Sequence, residues 1–484
     1  MLEPRYTTDQ AVADLRAAGL LSGVLVGGAD GLEAPGRTPV EVSPLPGGFL
    51  GAGLDSRSLE PGALFVALQG EHIDGRRFAA GTAARGHWVL TRHLADVDPL
   101  RGAPAPAEAG VLLSADPELA LAHLARCWRM RQDVAVVGVT GTNGKTTTKD
   151  LLTALLTAAG PVHGTAGNLN NQLGVPLTLL GLRADHRHAV IEMGASAVGE
   201  IAVLAPLAAP QVGIITNAAP AHLAEFGSLD GIVTGKGELL DALPADGTAI
   251  LNAESPGFNR WNRRAPCPVV SWGQETGDVR WTWQRDGVDG RSVLGLGGQS
   301  WPVPLPGIHN GANLVAALLA GKALGLDDEQ LARGLAAFAG SPHRGIILDI
   351  GGRTVLDDCY NANPRSMLTA SLALAELGGG GRRVAVLGHM AELGAESEQI
   401  HRETGADLAR GGTVDRLVAV GEIARPLGEG FDRAGGDVHY SATCAEAADW
   451  LVDYTRPGDR ILLKGSRSAA MEQLLPMLEK NFRR

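Results

Sequence analysis

Long apolar runs are missing from this chain of 484 residues. No uninterrupted stretch reaches the ~18 residues that a membrane-spanning helix needs, so no transmembrane segment is expected. Cysteine is scarce: Cys127, Cys267, Cys359 and Cys444 are the only four, and none stands in a C-x-x-C pair. Their spacing signals neither a zinc site nor a redox motif, and scattered single cysteines suit a reducing compartment. Aromatics make up 4% of the chain, so its cores must be built mainly from Ala, Val and Leu. Basic residues are not in excess. The net charge of −11 argues against a general nucleic-acid or anionic-membrane surface, but not against one anionic substrate in a locally basic cleft. The opening Met1-Leu-Glu-Pro-Arg-Tyr6 lacks the basic-then-apolar layout of a signal peptide. A cytoplasmic protein, not membrane-embedded and without a nucleic-acid partner, is expected.

The length allows roughly three domains at ~150 residues each, and three blocks emerge. Residues 1–113 carry short strand-like runs, Leu64–Leu68, His87–Leu90 and Val111–Leu113, separated by Gly, Asp and Pro; 101–110 reads as a surface loop. Residues 114–341 open with an Ala/Leu-rich helix, Pro117–Arg131. Strand-like runs then recur at Val134–Gly138, Ala189–Ile191, Val212–Thr216 and Ala249–Leu251, with helical segments between them. That alternation predicts a mostly parallel sheet covered by helices. Pro268–Val303 reads as antiparallel strands appended to it, and Asn313–Leu324 as a helix. Residues 342–484 repeat the rhythm at Val355–Leu356, Val384–Leu387, Leu417–Val420 and Ile461–Leu463. This resembles a dinucleotide fold without its G-x-G-x-x-G fingerprint.

The most informative stretch is Val139-Thr-Gly-Thr-Asn-Gly-Lys-Thr-Thr147. It lies between the strand Val134–Gly138 and a helix over Lys149–Leu156. A strand, a glycine-bearing loop and a helix N-terminus form a phosphate cradle of backbone N–H groups and helix dipole. Lys145 supplies a charge for the outer phosphates, and the Thr146 hydroxyl is placed for Mg²⁺. The first glycine is shifted from the common spacing, since position 139 is Val. A nucleoside triphosphate ligand follows.

Other polar clusters share a position: Glu192, Asn217, Asp358, Gly388 and Lys464-Gly-Ser-Arg467 each end or follow a strand-like run. Ligands of open α/β sheets bind outside the carboxyl ends of the strands. Two such sheets facing each other would gather these clusters around one cleft. Glu192, beside the phosphate loop, is the expected Mg²⁺ partner of Thr146. His222 and Lys236, taken alone, read as structural or surface residues. The amide-rich Gly167–Pro176, with Asn168, Asn170 and Asn171, suits sugar, phosphate or peptide groups; the alternative is a loop held by Asx turns. Asp357-Asp-Cys-Tyr-Asn-Ala-Asn-Pro364 is a second dense cluster. Lys464 with Arg467 suggests an anion contact, the arginine fork suiting a carboxylate.

Together these motifs resemble the Mur ligase family, ATP-dependent amide-forming enzymes of peptidoglycan assembly, over nearly the whole chain. Thr140–Thr147 matches the family's phosphate loop, shifted glycine included. Asp55-Ser-Arg57, Pro61–Leu68 and Asp74-Gly75 resemble its N-terminal domain, which holds the UDP end of a nucleotide-sugar substrate. Four segments, Gly167–Pro176, Asp358–Pro364, Leu387–Gly394 and Lys464–Arg467, resemble the branch that takes a dipeptide acceptor; His389 stands where Asp is usual. The resemblance implies an α/β chain of three domains: a UDP-substrate-binding domain over 1–113, a phosphate-loop ATPase domain over 114–341 and a Rossmann-like domain over 342–484. It implies that Gly141, Thr142, Asn143, Gly144, Lys145, Thr146 and Thr147 bind ATP, that His309, Asn310 and Asn313 lie against adenine, and that Arg344 and Asp358 reach the phosphates and ribose. It implies Mg²⁺ on Thr146, Glu192, His222 and a Lys236 carbamylated by CO₂, and hence catalytic roles for Lys145, Glu192, His222 and Lys236. Ser56, Arg57, Asn168, Asn170, Asn171, Tyr360, Asn361, Lys464, Ser466 and Arg467 are the implied substrate contacts.

The implied reaction joins D-alanyl-D-alanine to UDP-N-acetylmuramoyl-tripeptide through an acyl phosphate made from ATP, in a cytoplasmic monomer. Two other readings compete. A folate polyglutamylating ligase shares the phosphate loop, but Asp55-Ser-Arg57 and its surroundings argue for a UDP-binding domain that such enzymes lack. A nucleotide-dependent scaffold without ligase activity would be expected to have a decayed site, whereas Lys145, Thr146, Glu192, His222 and Lys236 are all present.

Overall fold

The computed structural model describes residues 6–27, 47–70, 73–100, 105–220, 223–285 and 292–482. Among them are three sheets of five, nine and six strands and one small two-stranded ribbon. The five-stranded sheet has the order Gly23–Val26, Gly110–Leu113, Trp88–Thr91, Leu64–Val66, Ala52–Gly53. Only Gly23–Val26 runs antiparallel to its neighbour.

In the nine-stranded sheet Ala135–Thr140, third from one edge, is flanked by His188–Glu192 and Val212–Ile215. These three strands are buried on both faces, apart from the half-buried Ala135, and read as continuous apolar runs, as expected of parallel strands under helices. Beyond them lie Thr248–Asn252 and Val269–Gly273, both parallel. The sequence reading made all of Pro268–Val303 antiparallel, and this is corrected. Val269–Gly273 pairs parallel with Val279–Arg285 through Trp272↔Val279 and Gly273↔Arg280 alone. The chain steps sideways there and continues in the same direction. Only the following strands, Ser292–Leu296 and Gln299–Val303, form antiparallel pairs. The helix expected at Asn313 starts earlier, at Ile308, and runs to Ala323.

The six-stranded sheet has the order Ile346–Ile350, Arg353–Asp357, Arg460–Lys464, Arg383–Leu387, Arg416–Val420, Asp437–Ser441, all parallel except the first. In this sheet and the nine-stranded one the polar clusters sit where the sequence placed them, at carboxyl ends.

The helix Pro117–Met130 welds the N-terminal sheet to the phosphate-loop sheet. Asp116 caps it by accepting from Leu119 N at 3.0 Å, and Pro117 occupies its first turn, where the missing N–H costs nothing. Its apolar face, Leu121, Leu124, Ala125 and Trp128, packs on the helices Thr8–Ala17, Gly174–Leu180 and Glu200–Ala208. Trp128 Nε1 donates to the Leu182 carbonyl at 3.1 Å, and the buried Arg129 donates Nε–H to the Ala208 carbonyl at 2.8 Å. Leu124 is fully buried in this shared core. Leu124→Ala should destabilise the fold by about 2–5 kcal/mol, the usual cost of an unfilled leucine site. A lowered thermal midpoint checks this; an unchanged one would show that the junction repacks.

Candidate functional site

A cavity of about 1180 Å³ lies between the nine-stranded and six-stranded sheets. One wall is the phosphate loop, and the facing wall is the carboxyl end of the six-stranded sheet. Thr142 through Thr147, Asn168, Asn170, Asn171, Glu192, His309, Asn310, Asn313, Arg344, Asp358, Tyr360, Asn361, Lys464, Ser466 and Arg467 all line it. Gly388 does not; it packs on Ala469 and Met471, and the same loop reaches the cavity through Ala391 and Glu392.

The loop's shape depends on two glycines. Gly141 has φ +144°, and a Cβ there would stand 1.9 Å from Thr216 Oγ1. Gly144 has φ +82°, and a Cβ would stand 2.2 Å from Asn313 Oδ1. Both the positive φ and the close approach require glycine. Neighbouring strand ends brace the loop. Thr216 Oγ1 donates to the Asn143 carbonyl at 2.6 Å, and Asn217 Nδ2 donates to it at 3.0 Å. Asn143 N donates to Asn217 Oδ1 at 3.1 Å. The helix Lys145–Leu156 then starts with its free N–H groups toward the cavity.

Lys145 donates from Nζ to the carbonyls of Gly141 and Thr142, at 2.9 and 3.1 Å. Desolvation lowers its pKa and Arg344 adds to this, while the charge of Glu192 opposes. Glu192 is buried at the end of its strand. Its Oε1 accepts from Asn170 Nδ2 at 2.7 Å, and its Oε2 has no partner among the described residues. An orphaned carboxylate oxygen in a cavity that Thr146 also lines fits a hard cation such as Mg²⁺.

Lys236 is almost fully buried on the helix Leu229–Gly237, behind the cavity wall. Its Nζ donates to the Ala195 carbonyl at 2.9 Å and lies 5.0 Å from the centre of the Phe226 ring. Burial, then repulsion from Lys145, pull its pKa down to about 7. His222 falls outside the described residues. Enclosure pulls His309 down to about 4, so its ring is neutral near pH 7.

Several expected contacts take a different form. Asn171 Oδ1 accepts from Gly174 N at 2.8 Å and Leu173 N at 3.2 Å, so the turn-holding alternative describes its side chain. Lys464 is not free for an anion. Its three N–H donors go to Asp358 Oδ2 at 2.6 Å and to the carbonyls of Asn361 and Asp358, at 3.0 and 3.2 Å. Arg467 pairs with Glu472 at 2.7 Å and stays mostly exposed. Ser56 and Arg57 do not reach this cavity. Arg57 forms an exposed fork with Asp55, and the Ser56 carbonyl accepts from Arg85.

Sequence reading missed one bond across the cleft. Asn363 Nδ2 donates to Asn143 Oδ1 at 2.7 Å, tying the phosphate loop to the facing domain. Asn363 is also the N-cap of the helix Pro364–Glu376. Its Asn-Pro signature marks the helix start, but nothing local marks the bond. Glu392, with φ +62°, lines the cavity in a strained conformation that no sequence signal announces.

The fold and this cavity define a nucleotide-dependent α/β enzyme of three sheets. Three family descriptions match the chain: "Mur ligase family, catalytic domain" over residues 50–127, "Mur ligase middle domain" over 139–321 and "Mur ligase, glutamate ligase domain" over 343–467. The UDP-N-acetylmuramoyl-tripeptide–D-alanyl-D-alanine ligase of Escherichia coli K12 is 36% identical over 438 residues, covering 88% of this chain and 93% of its own. Among solved structures, MurF from Acinetobacter baumannii matches with a TM-score of 0.77 at 34% identity, covering 88% of this chain and 92% of its own. MurF ligase from Thermotoga maritima in complex with ADP matches with a TM-score of 0.75 at 27% identity, covering 90% and 98%. The chain belongs to the Mur ligase family.

Replacing Asn363 by Ser keeps a good N-cap but is too short to reach Asn143. Asn363→Ser should leave the thermal midpoint near wild type. Losing one hydrogen bond of about 1 kcal/mol should raise the KM for ATP roughly fivefold. Steady-state kinetics check this, and an unchanged KM would show that the bond plays no part in nucleotide binding.

Proposed function

We propose that this chain is the ATP-dependent ligase that joins D-alanyl-D-alanine to the free carboxylate of UDP-N-acetylmuramoyl-tripeptide, in the cytoplasm and as a monomer. One observation carries the reading: a single cavity brings the phosphate loop, Glu192, Arg344 and Asp358 together at the facing ends of two sheets. The family membership and the names of the relatives support the substrates. Among the described residues no helix is long and apolar enough to cross a membrane.

A carboxylate is a poor acyl donor. In the proposed reaction a tripeptide carboxylate oxygen attacks the γ-phosphorus of ATP, and ADP leaves. The amine of D-alanyl-D-alanine adds to the acyl phosphate carbon, loses a proton, and inorganic phosphate leaves as the amide forms. The protein acts by positioning and charge neutralisation. Lys145 would exchange its two carbonyl partners for phosphate oxygens, and the backbone N–H groups from Gly141 to Thr147 would cradle the β-phosphate. His309, Asn310 and Asn313 would lie against adenine, and Arg344 and Asp358 would reach over from the facing domain. Asn168, Asn170, Tyr360, Asn361, Ser466 and Arg467 would line the path of the peptide. Asp55-Ser56-Arg57, on the N-terminal sheet, would take the distant UDP end. The cavity walls would keep water from the acyl phosphate.

Thr146, Glu192, His222 and a carbamylated Lys236 would hold Mg²⁺. When bound, the ion supplies charge neutralisation on the transferring phosphate. Carbamylation needs a neutral amine, and a Lys236 ammonium held to about pH 7 supplies one. The nitrogen lone pair attacks CO₂, one N–H proton leaves to solvent, and a cation becomes a carboxylate-like anion.

Phosphate release from ATP and Mg²⁺ tests the whole reading. It should require both UDP-N-acetylmuramoyl-tripeptide and D-alanyl-D-alanine, with the product heavier by the dipeptide. Release with a single amino acid or with folate instead would refute it. Lys145→Ala should abolish turnover with the fold intact, and near-wild-type release from that variant would exclude the phosphate role. Lys236→Ala should lose activity that bicarbonate does not restore, and wild-type protein given ¹³C-bicarbonate should show a carbamate carbon resonance. Normal activity of the variant would sink the carbamate.

A further inference from the structure

Cysteine spacing signalled no zinc site, yet the fold brings three ligand types together at His343, Asp357 and Cys359. Asp357 is the last residue of the strand Arg353–Asp357, and Cys359 follows two positions later. His343 lies just before the strand Ile346–Ile350, whose register sets Ile346 opposite Asp357. His343 has φ +61°, and its carbonyl accepts from Tyr360 N at 3.1 Å. A left-handed, non-glycine backbone held this way turns the ring inward. Its Nδ1 stands 2.8 Å from Asp357 Oδ2, and Cys359 Sγ stands 2.9 Å from Asp357 Oδ1. One nitrogen, one oxygen and one sulfur atom lie within 4.8 Å of one another.

None of the three lines the nucleotide cavity, although their neighbours Arg344, Asp358 and Tyr360 do. Asp357 and Cys359 are buried, while the His343 side chain is 29% exposed and leaves one open side. The groups acting on the thiol are negative: Asp357 first, then Glu472 and Asp358. Burial and these carboxylates hold it firmly protonated, so it is an inert thiol in the absence of a cation. Asp358 is neutralised by Lys464, and Glu472 by Arg467, but Asp357 has no Lys or Arg partner among the described residues.

We propose that His343, Asp357 and Cys359 form a binding site for Zn²⁺ or a similar borderline divalent transition metal, separate from the nucleotide cavity. Mixed sulfur, imidazole and carboxylate donors select zinc-like ions, whereas Mg²⁺ and Ca²⁺ require all-oxygen sets. Three protein ligands leave a fourth position for water on the side that His343 opens. On binding, the Cys359 thiol proton passes to solvent and a sulfur–metal bond forms. The neutral imidazole coordinates through Nδ1 and keeps its proton on Nε2. Asp357 trades its hydrogen bonds to both for a metal bond. A metal here would fix His343 and, through the chain, the Arg344 guanidinium that stacks 3.9 Å over the Tyr360 ring at the cavity wall. The site stands on these residues alone and does not depend on the ligase reading.

Co²⁺ is the probe, titrated into the full-length protein with excess Mg²⁺ to occupy oxygen-donor sites. One Co²⁺ per chain is expected, with a sulfur-to-cobalt charge-transfer band in the near ultraviolet. Cys359→Ser should abolish the band while keeping wild-type circular dichroism and ATP turnover. Cys127→Ser, Cys267→Ser and Cys444→Ser should retain it. His343→Gln, at a partly exposed ring, should weaken binding at least about tenfold. A wild-type protein without the band, or a band that survives in Cys359→Ser, overturns the proposal. If Cys359→Ser fails to fold, undiminished affinity in His343→Gln overturns it alone.

Discussion

The architecture turns on an ammonium group held in a cleft without a carboxylate bonded to it. Lys145 is solvated by two backbone carbonyls of its own loop, and its surroundings lower its pKa. Carbonyl dipoles stabilise a cation less than an ion pair does, which leaves the amine with unmet capacity for negative charge. Glu192 is near enough to be felt, but its Oε1 is held by Asn170. A triphosphate offers what the protein withholds. The loop's N–H groups, the helix dipole and Lys145 all improve their electrostatics when one binds. The bracing from Thr216 and Asn217 lets the loop hold that arrangement without collapsing onto itself.

The facing domain completes the cleft by the same logic. Lys464, which might have offered a second free cation, is neutralised by Asp358 and two carbonyls. That network fixes the segment from Asp358 to Asn361 at the end of its strand, so that Tyr360 can seat Arg344. The arginine is thus held by a ring face, and its charge is left available. Asn363 then links this wall to the phosphate loop through a neutral amide pair. The link is neutral, so breaking it exposes no unpaired charge.

How much of this could be read from the chain depended on the range of each interaction. The strand before the phosphate loop, the loop itself and the carboxyl-end positions of Glu192, Asn217, Asp358 and Lys464 were legible, because strand runs and loop chemistry are local. The sideways step at Trp272–Val279 was not, since short strands split by turn residues look the same whichever way the second one runs. Asn143 and Asn363 are 220 positions apart, and no local pattern encodes that pairing. The intramolecular partners of Asn171 and Lys464 were not legible for a related reason. An amide or an amine near a site can serve the ligand or the loop, and only its neighbours decide which. His343 and Cys359 show the converse: residues too far apart for a spacing rule meet because one antiparallel strand pair sets their register.

Lys236 is the point where local sequence and global electrostatics part most widely. Its helix, Leu229–Gly237, is short, and the lysine reads as a surface residue. Yet it is buried, and Lys145 is the leading charge acting on it. Two lysines that repel one another behind and within a phosphate site are an unfavourable arrangement for a fold to keep. Neutralising one lysine only removes the repulsion. Converting it to an anion replaces the repulsion with attraction, toward Lys145 and toward any cation held by Glu192. The proposed carbamate would therefore relieve more repulsion at Lys236 than at an isolated buried lysine. Burial lowers the Lys236 pKa first and repulsion from Lys145 adds to it, and it is that second contribution which an anion at this position would turn into attraction.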